Sequence, residues 1–194
     1  MVRYWGVTLL ARYERHRDVA ALADDPDDRV RKAVAESLGS MANPDAAGVL
    51  VKLLEDASWI VRAHAARALA DLECVEHADK IALLLADTEW WVRLAARESL
   101  VALGAGVVPV VLGCLEHTDR FARNGAAEIL QNLGVLDQHL DDVEAERSDS
   151  RQQEELRRIL EAGGADMVSS VVLRRGSRTE ALVRSLGLWL PEET

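Results

Sequence analysis

Four arginines constrain the chain most: Arg31, Arg62, Arg93 and Arg123 stand 31, 31 and 30 residues apart. A leucine follows each by seven residues, at Leu38, Leu69, Leu100 and Leu130. A period near thirty residues implies a stack of similar units, because no single unit can bury its own apolar face. Arg3-Tyr4-Trp5 reaches Leu10 with the same seven-residue offset and reads as a weaker fifth copy, 28 residues before Arg31. Within a copy the pattern is helical. Val61, Ala65, Ala68 and Leu69 fall on one stripe. The alanines around them are strong helix formers, small enough to let a neighbouring helix come close. A second apolar stretch follows in three copies, over 46–54, 78–85 and 107–115. Asn43-Pro44 marks the break between the two as an N-cap and a first-turn proline, and Gly104 with Gly106 marks it two repeats later. Each unit is therefore predicted to be helix–turn–helix.

The pattern fades after Gly134, in a segment where residues 135–155 hold eight acidic residues against two arginines. Ser148-Asp149-Ser150 reads as a break with an N-cap, and 152–162 as a helix stopped by Gly163-Gly164. The run 167–173 is apolar and open between helix and strand by periodicity, with a helical stack favouring helix. Ser177 with Glu180 has the spacing of a capping box ahead of a helix over 181–188.

The Asp-x4-Val-Arg spacing recurs as Asp25 to Arg31, Asp56 to Arg62 and Asp87 to Arg93, and with the Ala-rich first helix it resembles HEAT repeats of the short bacterial, PBS-lyase-like type. The resemblance spans about residues 1–134. It implies an all-α, right-handed α-solenoid of four to five helix–turn–helix repeats over 1–134, with 135–194 as an acidic segment and C-terminal helical cap that continues the stack. It also implies that the three Asp–Arg pairs form a hydrogen-bonded ladder between neighbouring repeats. In the fourth copy His117 replaces the Asp ahead of Arg123.

Charge narrows the function classes. The formal net charge is −10, which argues against a nucleic-acid-binding domain and against direct contact with an anionic membrane surface. Cys74 and Cys114 are too few for a disulfide framework and point to a reducing, cytoplasmic setting. The uncharged run 99–115 is broken by glycines and Pro109 and does not read as a membrane span. Proteins similar to this one can carry a membrane anchor ahead of the repeats, so the alternative setting is the soluble part of a longer, anchored chain.

No nucleophile motif, phosphate-binding glycine loop or metal spacing stands out, so no catalytic, cofactor or metal residue is assigned and the chain is expected not to be an enzyme. Glu76-His77 and Glu116-His117 are the reverse of the His-Glu order of the diiron HEAT enzymes, and the five histidines are scattered. Cys114 lies on an apolar stripe and reads as a small core residue; Cys74 reads as a turn residue with no nearby cation to activate it. The aromatic residues carry more information. Trp59 and Trp90 occupy matching positions two before Val61 and Val92, while Ile60, Trp91 and Phe121 match in the next column. One column is expected to face inward and the other outward. The outward one would be a partner-binding edge; the alternative is that both columns cap the hydrophobic core at the helix starts.

If Leu50, Ile81 and Val111 are core residues of the second helices, a concave face should carry Gly48, Lys52 and Glu55, then Asp79, Leu83 and Ala86, then Pro109, Gly113 and Glu116. That set has neither a basic stripe nor a ladder of aromatics. It fits a modest peptide groove or an ordinary solvated face. The expected function is a protein-interaction scaffold whose partner is another protein or peptide with a basic surface. The resemblance also admits a bilin-lyase-like, chromophore-handling role as the alternative.

Overall fold

The structure is a computed structural model that describes residues 2–188. All regular structure among them is helical, in two compact units, Met1–Val107 and Val108–Thr194. The sequence boundary at 134 marks where the repeat pattern fades, whereas the compact units part at Val107.

The first unit contains α1 (Val2–Arg12), α2 (His16–Ala20), α3 (Asp28–Ser40), α4 (Ala47–Leu53), α5 (Trp59–Asp71), α6 (Ala78–Leu83) and α7 (Trp90–Ala102). Helices α1, α3, α5 and α7 are the first helices of successive repeats, and each packs on the next. Val30, Val61 and Val92 form one column of the core, and Leu38, Leu69 and Leu100 another. Small residues set the spacing: a Cβ placed on Gly39 would stand 2.8 Å from the Ala68 Cβ, so α3 and α5 are in backbone contact there. Asn43 accepts a hydrogen bond from the Asp45 amide at 3.0 Å, with Pro44 opening the short 3-10 turn that leads into α4. The uncharged run 99–115 is split by Gly104 at φ +74°, and no single described helix is long and apolar enough to cross a membrane.

The second unit contains α8 (Val108–Cys114), α9 (Arg120–Asn132), α10 (Val135–Glu144), α11 (Ser150–Arg175) and α12 (Ser177–Ser185). Asp149 caps α11 and forms a capping box with Gln152. Gly164 leaves helical geometry at φ +70°, and α11 kinks there and continues, so 167–173 is helical. The capping box expected at Ser177 does not form. The N-cap is Gly176, at φ +88°, and the Glu180 carboxylate accepts from Arg184 one turn on. Thr179 is instead buried, its hydroxyl donating to Glu144 at 2.6 Å, and Arg175 pairs with Asp141 and Glu144, so α10, α11 and α12 are tied by polar contacts.

Candidate functional site

The aromatic edge is built by the starts of α5 and α7. Trp59 is 40% exposed, Trp90 50% and Trp91 54%. Trp90 and Trp91 meet edge to face, with centroids 4.6 Å apart. The expectation that one column faces inward is corrected: Trp59 and Trp90 in one column and Trp91 and Phe121 in the other are exposed, with Ile60 half-buried. Helical geometry explains this. Trp59 and Ile60 open α5 and Trp90 and Trp91 open α7, and Cβ atoms tilt toward a helix N-terminus, so these side chains project past the packed length of the helix, whereas Ala63 and Ala66, in nearly the same direction as Trp59 but further along, are buried. Val61 and Val92 take the core, and the aromatics are left outside it. Ser58 gives α5 no side-chain cap; its hydroxyl donates to Asp28 at 2.9 Å instead. The half-buried Asp28 carboxylate and the exposed Glu89 thus stand beside an apolar, aromatic surface. In the second unit Phe121 is also exposed, under the Arg120 guanidinium at 4.7 Å.

The groove residues behave as surface positions. Gly48, Lys52, Glu55, Asp79 and Leu83 in the first unit are exposed, while Ala86 is half-buried. In the second unit Pro109, Gly113 and Glu116 are exposed. Leu50, Ile81 and Val111 are fully buried. Lys52 is engaged with Asp24 at 2.6 Å, and Glu116 with Arg158 at 2.6 Å. Lys52 and Glu55 border an open depression of about 470 Å³ that also touches Asp25, Arg31 and Asp56.

The Asp and Arg residues bridge repeats. Arg31 donates Nε and Nη2 to the two carboxylate oxygens of Asp56, at 2.7 and 2.8 Å, and Nη1 to the Asp25 carbonyl at 2.8 Å. Arg62 does the same one repeat on, to Asp87 at 2.8 Å and to the Asp56 carbonyl at 2.8 Å. Each Arg therefore uses the carbonyl of its own repeat's Asp and the carboxylate of the next. Arg93 continues the intra-repeat half, donating to the Asp87 carbonyl at 2.7 Å. Sequence spacing missed one rung: Arg3 pairs with Asp25 at 2.7 Å, which shows that the fifth copy shares the device. The shorter 28-residue offset was the available signal.

Each ladder carboxylate also accepts from the amide two residues on, at Asp27, Ser58 and Glu89. His117, at the matching position of the fourth copy, keeps that turn: its Nδ1 accepts from the Asp119 amide at 3.0 Å. Burial pushes the Asp56 carboxyl up, but the Arg31 hydrogen bonds, the Ser58 amide and the nearby guanidinium charges hold it below its ordinary value. Asp87 is opposed by burial and lowered by Arg62 and the Glu89 amide in the same way. A carboxylate depressed in the folded state stabilises the fold above its ordinary range and loses that contribution as pH falls through its folded value. Acid titration followed by circular dichroism should therefore show stability falling below about pH 4. Asp56→Asn/Asp87→Asn should start less stable at neutral pH and show a flatter acid limb. An equally steep limb in the variant would count against the ladder as the source.

Both cysteines are free. Burial and then Glu76 push the Cys74 thiol up, and burial alone raises Cys114, which is half-buried rather than a full core residue. Neither is poised as a thiolate. Among the described residues no group of three His, Cys, Asp or Glu side chains is placed to hold a metal ion.

Residues 18–101 match the family model of HEAT repeats. These residues carry HEAT repeats, and the fold is an all-α solenoid. No curated protein matches the chain. Among solved structures it is similar to an engineered protein, at 21% identity and a TM-score of 0.51, over 97% of this chain and 87% of that one. It is also similar to a chain from the complex of CpcE and CpcF of phycocyanin lyase from Nostoc sp., at 19% identity and a TM-score of 0.51, over 95% and 87%. These likenesses are of fold.

Proposed function

We propose that the chain is a non-enzymatic scaffold of the bacterial cytoplasm that docks a protein with a basic surface on the Trp59–Trp90–Trp91 edge. HEAT repeats mediate protein interactions, and the observation that carries this particular reading is three half-exposed tryptophans held over fully buried Val61 and Val92. Tryptophan on a rigid frame supplies large contact area at little cost in side-chain entropy, and such residues dominate binding energies. A net charge of −10 favours a basic partner, with association that slows as salt is added. The exposed Lys52, Glu55, Asp79 and Leu83 face would extend the contact, and Glu116 lies in the turn after the corresponding helix α8 of the second unit.

The test is affinity capture from source cells, with wild type beside Trp59→Ala/Trp90→Ala. Both side chains are largely outside the core, so the double variant should keep its circular dichroism spectrum and melting temperature. A specific partner lost by at least about tenfold in the variant is the expected result. A partner held equally by both proteins would move the site off this edge. No protein partner together with a spectral shift of added bilin would overturn the scaffold in favour of chromophore handling.

A further inference from the structure

The outward face of α1 carries an exposed apolar stripe. Trp5 is 63% exposed, Leu9 57% and Tyr13 71%, while Val7 on the opposite side is fully buried. The three are four residues apart, so they form one apolar stripe along the helix and into the turn that follows it. The repeat register shows what such a face does elsewhere in this unit. Leu9 stands six residues after Arg3, as Ala68 stands six after Arg62, and Ala68 packs against Gly39 of the preceding first helix. Trp5 stands two after Arg3, as His64 stands two after Arg62, and His64 Nδ1 is 3.3 Å from Glu36 on that same preceding helix. The α1 stripe is thus the counterpart, on the first described helix, of the surface that α3 covers on α5, with Leu9 in place of an alanine and Trp5 in place of a histidine.

The geometry points to a helix of another protein as the occupant: an amphipathic helix with an acidic flank, laid on α1 as α3 lies on α5. Charge selects the flank. Residues 1–17 hold four arginines and a single carboxylate, Glu14, in a chain of net charge −10. Arg12, Arg15 and Arg17 are exposed beside the stripe, with Arg15 already paired to Asp18 at 2.5 Å. Two α1 faces brought together would set these arginines against one another, which disfavours a second copy of the chain.

Two labelled helical peptides serve as probes, each with leucines at i, i+4 and i+8, one flanked by glutamates and the other by lysines. Fluorescence anisotropy should show the glutamate peptide bound and the lysine peptide weaker by about tenfold or more. Leu9→Glu should reduce binding by a similar factor with an unchanged circular dichroism spectrum, since Leu9 is exposed. Trp59→Ala/Trp90→Ala should leave it intact, which separates this surface from the tryptophan edge. Equal affinity for the two peptides, binding of neither, or full binding by Leu9→Glu would each overturn the proposal. So would self-association in sedimentation that Leu9→Glu abolishes, or tighter binding to anionic phosphatidylserine vesicles than to the peptide.

Discussion

Replacing Arg62 by alanine should destabilise the first unit by about 3 kcal/mol in equilibrium urea unfolding. The guanidinium reaches both oxygens of Asp87 and the Asp56 carbonyl, and its side chain is only 15% exposed, against 9% for Asp87. Truncation would leave a carboxylate and a carbonyl short of water and without their donor. The penalty comes mostly from those abandoned groups, and an apolar replacement cannot recover it. Lysine should recover less than half, because a single ammonium cannot span the fork that meets two carboxylate oxygens and turn a third donor to a carbonyl. Arg3→Ala should cost far less: the Arg3 side chain is 59% exposed, and water replaces what Asp25 loses. The gradient from Arg3 to Arg62 is the decisive readout. Equal losses at the two positions, or a loss below about 1 kcal/mol at Arg62, would reduce the ladder to a surface feature.

What the sequence made legible followed from locality. The thirty-residue period, the Val30–Val61–Val92 column and the Leu38–Leu69–Leu100 column follow from helical spacing within one repeat. The ladder was half legible. Asp and Arg six residues apart announce a pairing, but the carboxylate that Arg31 binds is Asp56, 25 residues on, and only stacking brings the two together. The aromatic columns were misjudged because direction around the helix was taken to set burial, when both columns occupy the first two positions of α5 and α7, ahead of the packed length of each helix. The Ser177–Glu180 spacing misled for a different reason. Gly176 supplies the turn into α12 by its own left-handed φ, and Arg184 takes the Glu180 carboxylate that a capping box needs. The apolar stripe on α1 has a plain helical period, but its exposure depends on what packs on the far side, and no local pattern carries that.

Leu69→Ala should cost about 3–5 kcal/mol, in the upper part of the usual range for a buried leucine. The cost of such a truncation depends on how far the surroundings collapse into the space left behind. Around Leu69 they have little means to do so. Leu69 is fully buried on α5, and its own helix contributes Ala65, Ala66 and Ala68 to the core, side chains with no rotamers to swing into a void. The helices cannot close the gap either, because α3 and α5 already touch at Gly39 and Ala68, where an added Cβ would stand 2.8 Å from its neighbour. A stack spaced by small residues is therefore stiff against loss of its few large ones. Leu83→Ala supplies the control within the same unit. Leu83 is 65% exposed at the end of α6, and its truncation should change stability by no more than about 0.5 kcal/mol. Both variants are read from the same urea curves, with the slope checked for unchanged exposed surface on unfolding. Similar losses at Leu69 and Leu83 would mean that the stack yields around a missing side chain. The small residues would then be there for helix formation rather than for spacing.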